Sequence, residues 1–160
     1  MNLLSETMGV EQWLAVLRIG IGLWWLKSVF HKNLGDFVNG GMATWTTDLA
    51  GSHPWTGFGN AMKGLVSGTA SWLPYLVLLG ELAVGVGLTL GFLTPVSAIV
   101  AIFLNLNYLL LAGVKPKEPS LNPCFRVEQG QNWTMIVAEL VLLATGAGAV
   151  WSLDSLLGLF

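Results

Sequence analysis

Charge is what this chain has least of. Only 10% of its 160 residues are Asp, Glu, Lys or Arg, where a soluble domain carries roughly 25%. So few charges cannot cover a water-facing surface, which excludes an ordinary soluble globule. Disorder is excluded too, since it needs high charge with low hydrophobicity and 54% of the residues here are hydrophobic. A formal charge of −2 leaves no basic footprint for nucleic acid. The single cysteine, Cys124, excludes an internal disulfide and any multi-cysteine metal or iron–sulfur centre built from this chain alone. Its two histidines, His31 and His53, form no helix-spaced pair, so neither haem ligation nor a metal site is expected. GxGxxG, P-loop and GxSxG patterns are also missing. The composition describes a small polytopic membrane protein whose first partner is the lipid bilayer.

The apolar runs predict an all-α fold: one membrane domain over 1–160, built as a four-helix transmembrane bundle. A span needs about 20 mostly apolar residues, and candidates lie at 13–30, 73–93, 95–111 and 133–151. Gly91, Thr94 and Pro95 break the longest run into a helical hairpin. Trp13, Trp72, Trp133 and Trp151 fall at predicted span ends, where amphipathic rings favour the headgroup level. The opening residues carry no basic n-region, so the first span is expected to stay as a membrane helix.

Residues 32–71 form a long interfacial loop, with short amphipathic helices expected at 36–49 and 56–65. Residues 115–131, with Pro116, Pro119 and Pro123, are expected to be irregular and exposed. Lys27, Lys32, Lys63, Lys115, Lys117 and Arg126 flank the spans on the loop-bearing face, and the opposite face has no flanking cation. The positive-inside rule then places the large loops in the cytoplasm and both termini outside the cell membrane.

Ionisable residues inside a span cost about 2.5–3.5 kcal/mol each and are functional hypotheses by default. Here they are Arg18, Glu81 and Glu139, with Lys27 near a span end and the amides Asn105 and Asn107 in the third helix. At about 1.5 Å per residue, Lys27, Glu81, Asn107 and Glu139 come out roughly 8–12 Å from the loop face, with Arg18 nearer the terminal face. Glu81 shares a face with Gly85, Glu139 with Gly146 and Arg18 with Gly22. Small residues mark close helix contact, so all three charges are expected to point inward. Nine residues put Lys27 opposite Arg18, and two residues put Asn107 away from Asn105.

Glu81 is expected to pair with Lys27, Asn107 or the fourth helix, and Arg18 to find backbone carbonyls or a ligand headgroup. A buried Arg–Glu pair can equally serve as helix glue, and the amides as interhelical hydrogen bonders. His31 and His53 read as solvated loop residues, Cys124 as an incidental thiol and Asn132-Trp133-Thr134 as an accidental sequon. Taken together, the polar set suits a ligand with an apolar body and a polar head, such as a quinone or a lipid.

The segment LRIGIGLWWLKSVFHK, with Arg18, Gly20, Gly22 and Lys27, resembles the first helix of the DoxX/DoxD group. GELAVGVGLTLGFLTP, with Glu81, Gly85, Gly87, Gly91 and Pro95, resembles its second helix and turn. LNLNYLLLAG and the closing GAGAVWSLDSLLG are similar to the third and fourth. The resemblance implies a four-helix membrane protein. In the DoxD branch it implies the small subunit of a thiosulfate:quinone oxidoreductase, with quinone as the possible cofactor. On that reading Glu81, Arg18 and Lys27 are the catalytic candidates, and Glu139, Asn105 and Asn107 the ligand-binding ones. The alternative is a non-catalytic accessory subunit of a larger respiratory or photosynthetic membrane complex, packed against other membrane subunits.

Overall fold

The computed structural model describes residues 8–159, and most of them are helical. Helix α1 (Val10–His31) buries Ala15, Arg18, Ile21, Gly22, Trp25 and Val29, a stripe at the three- and four-residue spacing of one helix face. α5 (Leu73–Leu90) opens on Pro74, whose missing N–H costs nothing in a first turn. α6 (Thr94–Ala112) follows after a tight turn, and α7 (Phe125–Thr145) completes the bundle. α1 packs along α5, α6 along α7, and α5 beside α6. Close approach of α1 and α5 requires glycine at both Gly22 and Gly85. A Cβ on Gly22 would stand 3.0 Å from the Gly85 carbonyl oxygen, and one on Gly85 would stand 3.0 Å from the Leu26 nitrogen. Ile21, Trp25, Val84, Leu88, Ala98, Ala101 and Leu142 form the shared core.

Three helices, α1, α5 and α6, are long and apolar enough to cross a membrane. Their outward faces carry Leu23, Leu79 and Ile99, each more than half exposed, a surface suited to lipid rather than water. The expected fourth span at 133–151 requires correction. α7 begins eight residues earlier, at Phe125, and ends at Thr145, where Gly146 turns left-handed at φ 62°. Its first two turns, with Glu128, Gln129, Gln131 and Asn132, are polar, so it is not among the helices apolar enough to span. Helix replaces much of the irregular segment expected at 115–131.

The long loop at 32–71 is also largely helical. A single turn, α2 (Leu34–Asp36), runs into a wide turn at Phe37–Gly41, then α3 (Met42–Gly51) and α4 (Thr56–Thr69). Leu49 and Ala50 pack with Phe58 and Met62 onto Leu111 and Ala112 at the end of α6. His53, expected to be solvated, is 2% exposed. Its Nε2 donates to the Leu110 carbonyl at 3.0 Å, and its Nδ1 accepts from the Trp55 backbone N–H at 3.1 Å. One neutral tautomer satisfies both, which explains how an imidazole sits buried where two segments meet.

At the opposite end the chain folds back as α8 (Leu153–Leu157). The Asp154 carboxylate accepts from the backbone N–H groups of Leu93 and Thr94, both at 2.7 Å, and so caps α6. Leu93 sits at φ 49°, a conformation its β-carbon disfavours; the cap holds it there.

Candidate functional site

A cavity of about 540 Å³ opens among α1, α3, α4, α5, α6 and the start of α7. Trp24, Trp25, Trp45, Phe37 and Phe103 form much of its wall, with Met42, Met62, Leu104 and Leu111 filling gaps. Among its polar groups, Lys32, Glu81 and Tyr108 are bonded to one another. Lys32, just past the end of α1, donates to the Glu81 carboxylate, which is fully buried, while a quarter of the lysine side chain remains exposed. The Tyr108 hydroxyl donates to the other Glu81 oxygen at 2.5 Å. Among the described residues this is the only salt bridge. The Lys32 ammonium also lies 5.3 Å from the centre of the Phe37 ring, an arrangement that stabilises a partly desolvated cation.

Helical phase explains why Lys32 and not Lys27 meets Glu81. The buried stripe of α1 runs through Arg18, Gly22, Trp25 and Val29, and Lys27 lies off it, exposed. Past His31 the chain leaves the helix at Lys32, whose backbone is extended, and the side chain can turn inward. The expected partners Lys27 and Asn107 are therefore replaced by Lys32 and Tyr108. Asn107 lines the cavity but gives its amide to the Phe103 carbonyl of its own helix, at 2.7 Å.

Glu139 and Asn105 form a second buried group. The Asn105 amide donates to both Glu139 oxygens, at 2.8 and 3.0 Å, and the Trp25 indole N–H donates to one of them at 3.0 Å. Both residues are fully buried, and only Trp25 of the three lines the cavity. Arg18 belongs to neither group. It donates to the Trp151 carbonyl at 2.6 Å, beside the Gly91 turn at the far end of α5. Ten residues separate Gly91 from Glu81, or about 15 Å along the helix. Arg18 and Glu81 are separate sites, and Arg18 stands apart from the cavity.

Sequence reasoning missed Lys32, counted only as a topology signal, and Tyr108, which follows Asn105 by one helical turn. It also missed Glu128, Gln131 and Asn132. All three line the cavity, and their i, i+3, i+4 spacing is that of a single helix face. That spacing was the available signal, obscured because the segment read as loop.

Three apolar helices around an aromatic cavity with a buried ion pair define a helical membrane protein with an internal amphipathic site. The chain belongs to the DoxX family, whose family model matches residues 13–113. The match covers Lys32, Glu81 and Tyr108 and stops at the end of α6, before Glu128 and Glu139. No curated protein and no solved structure matches the chain.

Proposed function

We propose that the chain is a membrane subunit of a quinone-linked oxidoreductase, DoxD-like, and that its cavity receives the quinone headgroup. The observation that carries this reading is the Lys32–Glu81–Tyr108 group set beside the aromatic wall of Trp24, Trp25, Trp45, Phe37 and Phe103. A volume of about 540 Å³ lies within the roughly 300–1,000 Å³ of small-molecule sites, which pair apolar walls with a few placed polar groups. The Lys32 ammonium, with N–H donors beyond the one given to Glu81, suits a ring carbonyl, and Trp24 and Trp45 suit a flat apolar ring.

A bound quinone would supply acceptance of two electrons and two protons. The chain's own part is to hold protons at the Tyr108 hydroxyl and the Lys32 ammonium, with Glu81 orienting both. Glu128, Gln131 and Asn132, which also line the cavity, are the polar groups by which protons would reach it. With one cysteine and two histidines, the chain offers no dithiol or paired haem ligands. Electrons would come from a partner subunit that oxidises the sulfur substrate, thiosulfate on the DoxD resemblance.

Titration in nanodiscs with a short-chain quinone analogue tests the reading, because tryptophans in the wall report occupancy by fluorescence quenching. Saturable quenching is expected, with affinity falling at least several-fold in Lys32→Met and in Tyr108→Phe. Quenching that never saturates and is identical in all three proteins would mean partitioning into lipid, and the quinone site would be lost. Stoichiometric co-purification with a larger complex, without quinone binding, would favour the accessory-subunit reading.

A further inference from the structure

Glu139 is a fully buried carboxylate with no cation bonded to it, since the one salt bridge among the described residues lies elsewhere. Such a group is expensive in a membrane protein, and an apolar side chain of its size would pack α7 against α6 more cheaply. Its partners give it a use. Its oxygens take the Trp25 indole N–H and the Asn105 amide, joining three helices. Trp25 is also cavity wall, set edge-on to Trp24 with ring centres 5.6 Å apart and planes at 86°. A buried indole N–H without an acceptor is costly, so the ring would turn to find another. The carboxylate therefore fixes the plane of one cavity wall without reaching the cavity itself.

We infer that Glu139 is a positioning residue that, through Trp25, makes the cavity select flat ring headgroups over the headgroups of acyl lipids. The inference rests on the cavity being the ligand site. Glu139→Gln retains an acceptor oxygen for Trp25, and its new amide can meet Asn105 Oδ1, which has no partner, once the Asn105 amide turns over. Glu139→Met keeps the length and removes the acceptor. Trp25→Phe keeps a flat ring and removes the tether.

The test compares affinities for a short-chain quinone analogue and for a fatty acid of equal tail length, alongside near-ultraviolet circular dichroism without ligand. The parent and Glu139→Gln are expected to prefer the ring at least 10-fold and to share one near-ultraviolet spectrum. Glu139→Met is expected to lose most of that preference and the Trp24–Trp25 contribution to the spectrum. If Glu139→Met does not fold, Trp25→Phe carries the selectivity test and is expected to lose the preference likewise. A folded Glu139→Met with parental selectivity and parental spectrum overturns the inference, as does a folded Trp25→Phe that keeps the preference. A parent that binds both probes equally overturns the selectivity. A parent that binds no quinone analogue removes the proposed function instead, and the ligand-free spectrum then still decides whether Glu139 holds Trp25.

Discussion

Two lysines five residues apart, Lys27 and Lys32, have opposite fates, because Lys27 is fixed on the outer face of α1 and Lys32 lies just past its end. Lys27 is exposed on the outer side of α1, while Lys32 neutralises a carboxylate with no solvent exposure. Removing one partner of a buried pair leaves the other charge uncompensated, at about 3–5 kcal/mol. Lys32→Met should therefore lower the thermal unfolding midpoint in detergent sharply, whereas Lys27→Met should leave it nearly unchanged. Equal midpoints for the two variants would contradict the pairing. Arg18, Glu81 and Glu139 were legible as inward charges because each lies in an apolar run with small residues on its face. Lys32 and Tyr108 were not. A lysine past the end of a helix has no phase to read, and a tyrosine in a membrane helix serves equally well at the interface.

At the scale of elements, the apolar runs marked α1, α5 and α6 to within a few residues, and the hairpin break at Gly91–Pro95 was plain. α7 was misplaced because apolar length was used to find it. Its N-terminal turns are polar on account of the cavity they wall, and Gly146 ends it before the apolar sequence runs out. The residues beyond were read as span and instead form the fold-back that ends in α8. That fold-back is held by Asp154, which is fully buried and satisfies two N–H groups at the start of α6. Losing an N-cap costs about 0.5–2 kcal/mol, and here two buried donors would be orphaned together. Asp154→Ala should fall at or above the upper end of that range, and Asp154→Asn, which keeps one acceptor, should cost less. Thermal midpoints followed by tryptophan fluorescence check the order. An Asp154→Ala protein as stable as the parent would show that the cap is dispensable.

At the scale of the whole molecule, the two ends of the bundle differ in charge and in covering. One end gathers α2, α3, α4 and the 113–124 segment, tied together where the Lys117 N–H donates to the Ser52 carbonyl at 2.7 Å. The other gathers the α5–α6 turn and α8, tied by Arg18 to Trp151 and by the Asp154 N–H to the Gly91 carbonyl at 2.9 Å. Lys32 belongs to the cavity and drops out of the topology count. Lys27, Lys63, Lys115, Lys117 and Arg126 remain at the first end, and the second has no cation besides the buried Arg18. Flanking Lys and Arg set orientation, so the cavity-bearing end is expected to face the cytoplasm. The lone cysteine makes this measurable, because Cys124 is exposed and free at that same end. A membrane-impermeant maleimide should leave Cys124 unlabelled in right-side-out vesicles and label it after permeabilisation. A Cys124→Ser protein carrying Ser155→Cys, exposed on α8, should label without permeabilisation. Labelling of Cys124 in sealed vesicles, with Ser155→Cys protected, would invert the molecule. The cavity-bearing end would then face away from the cytoplasm.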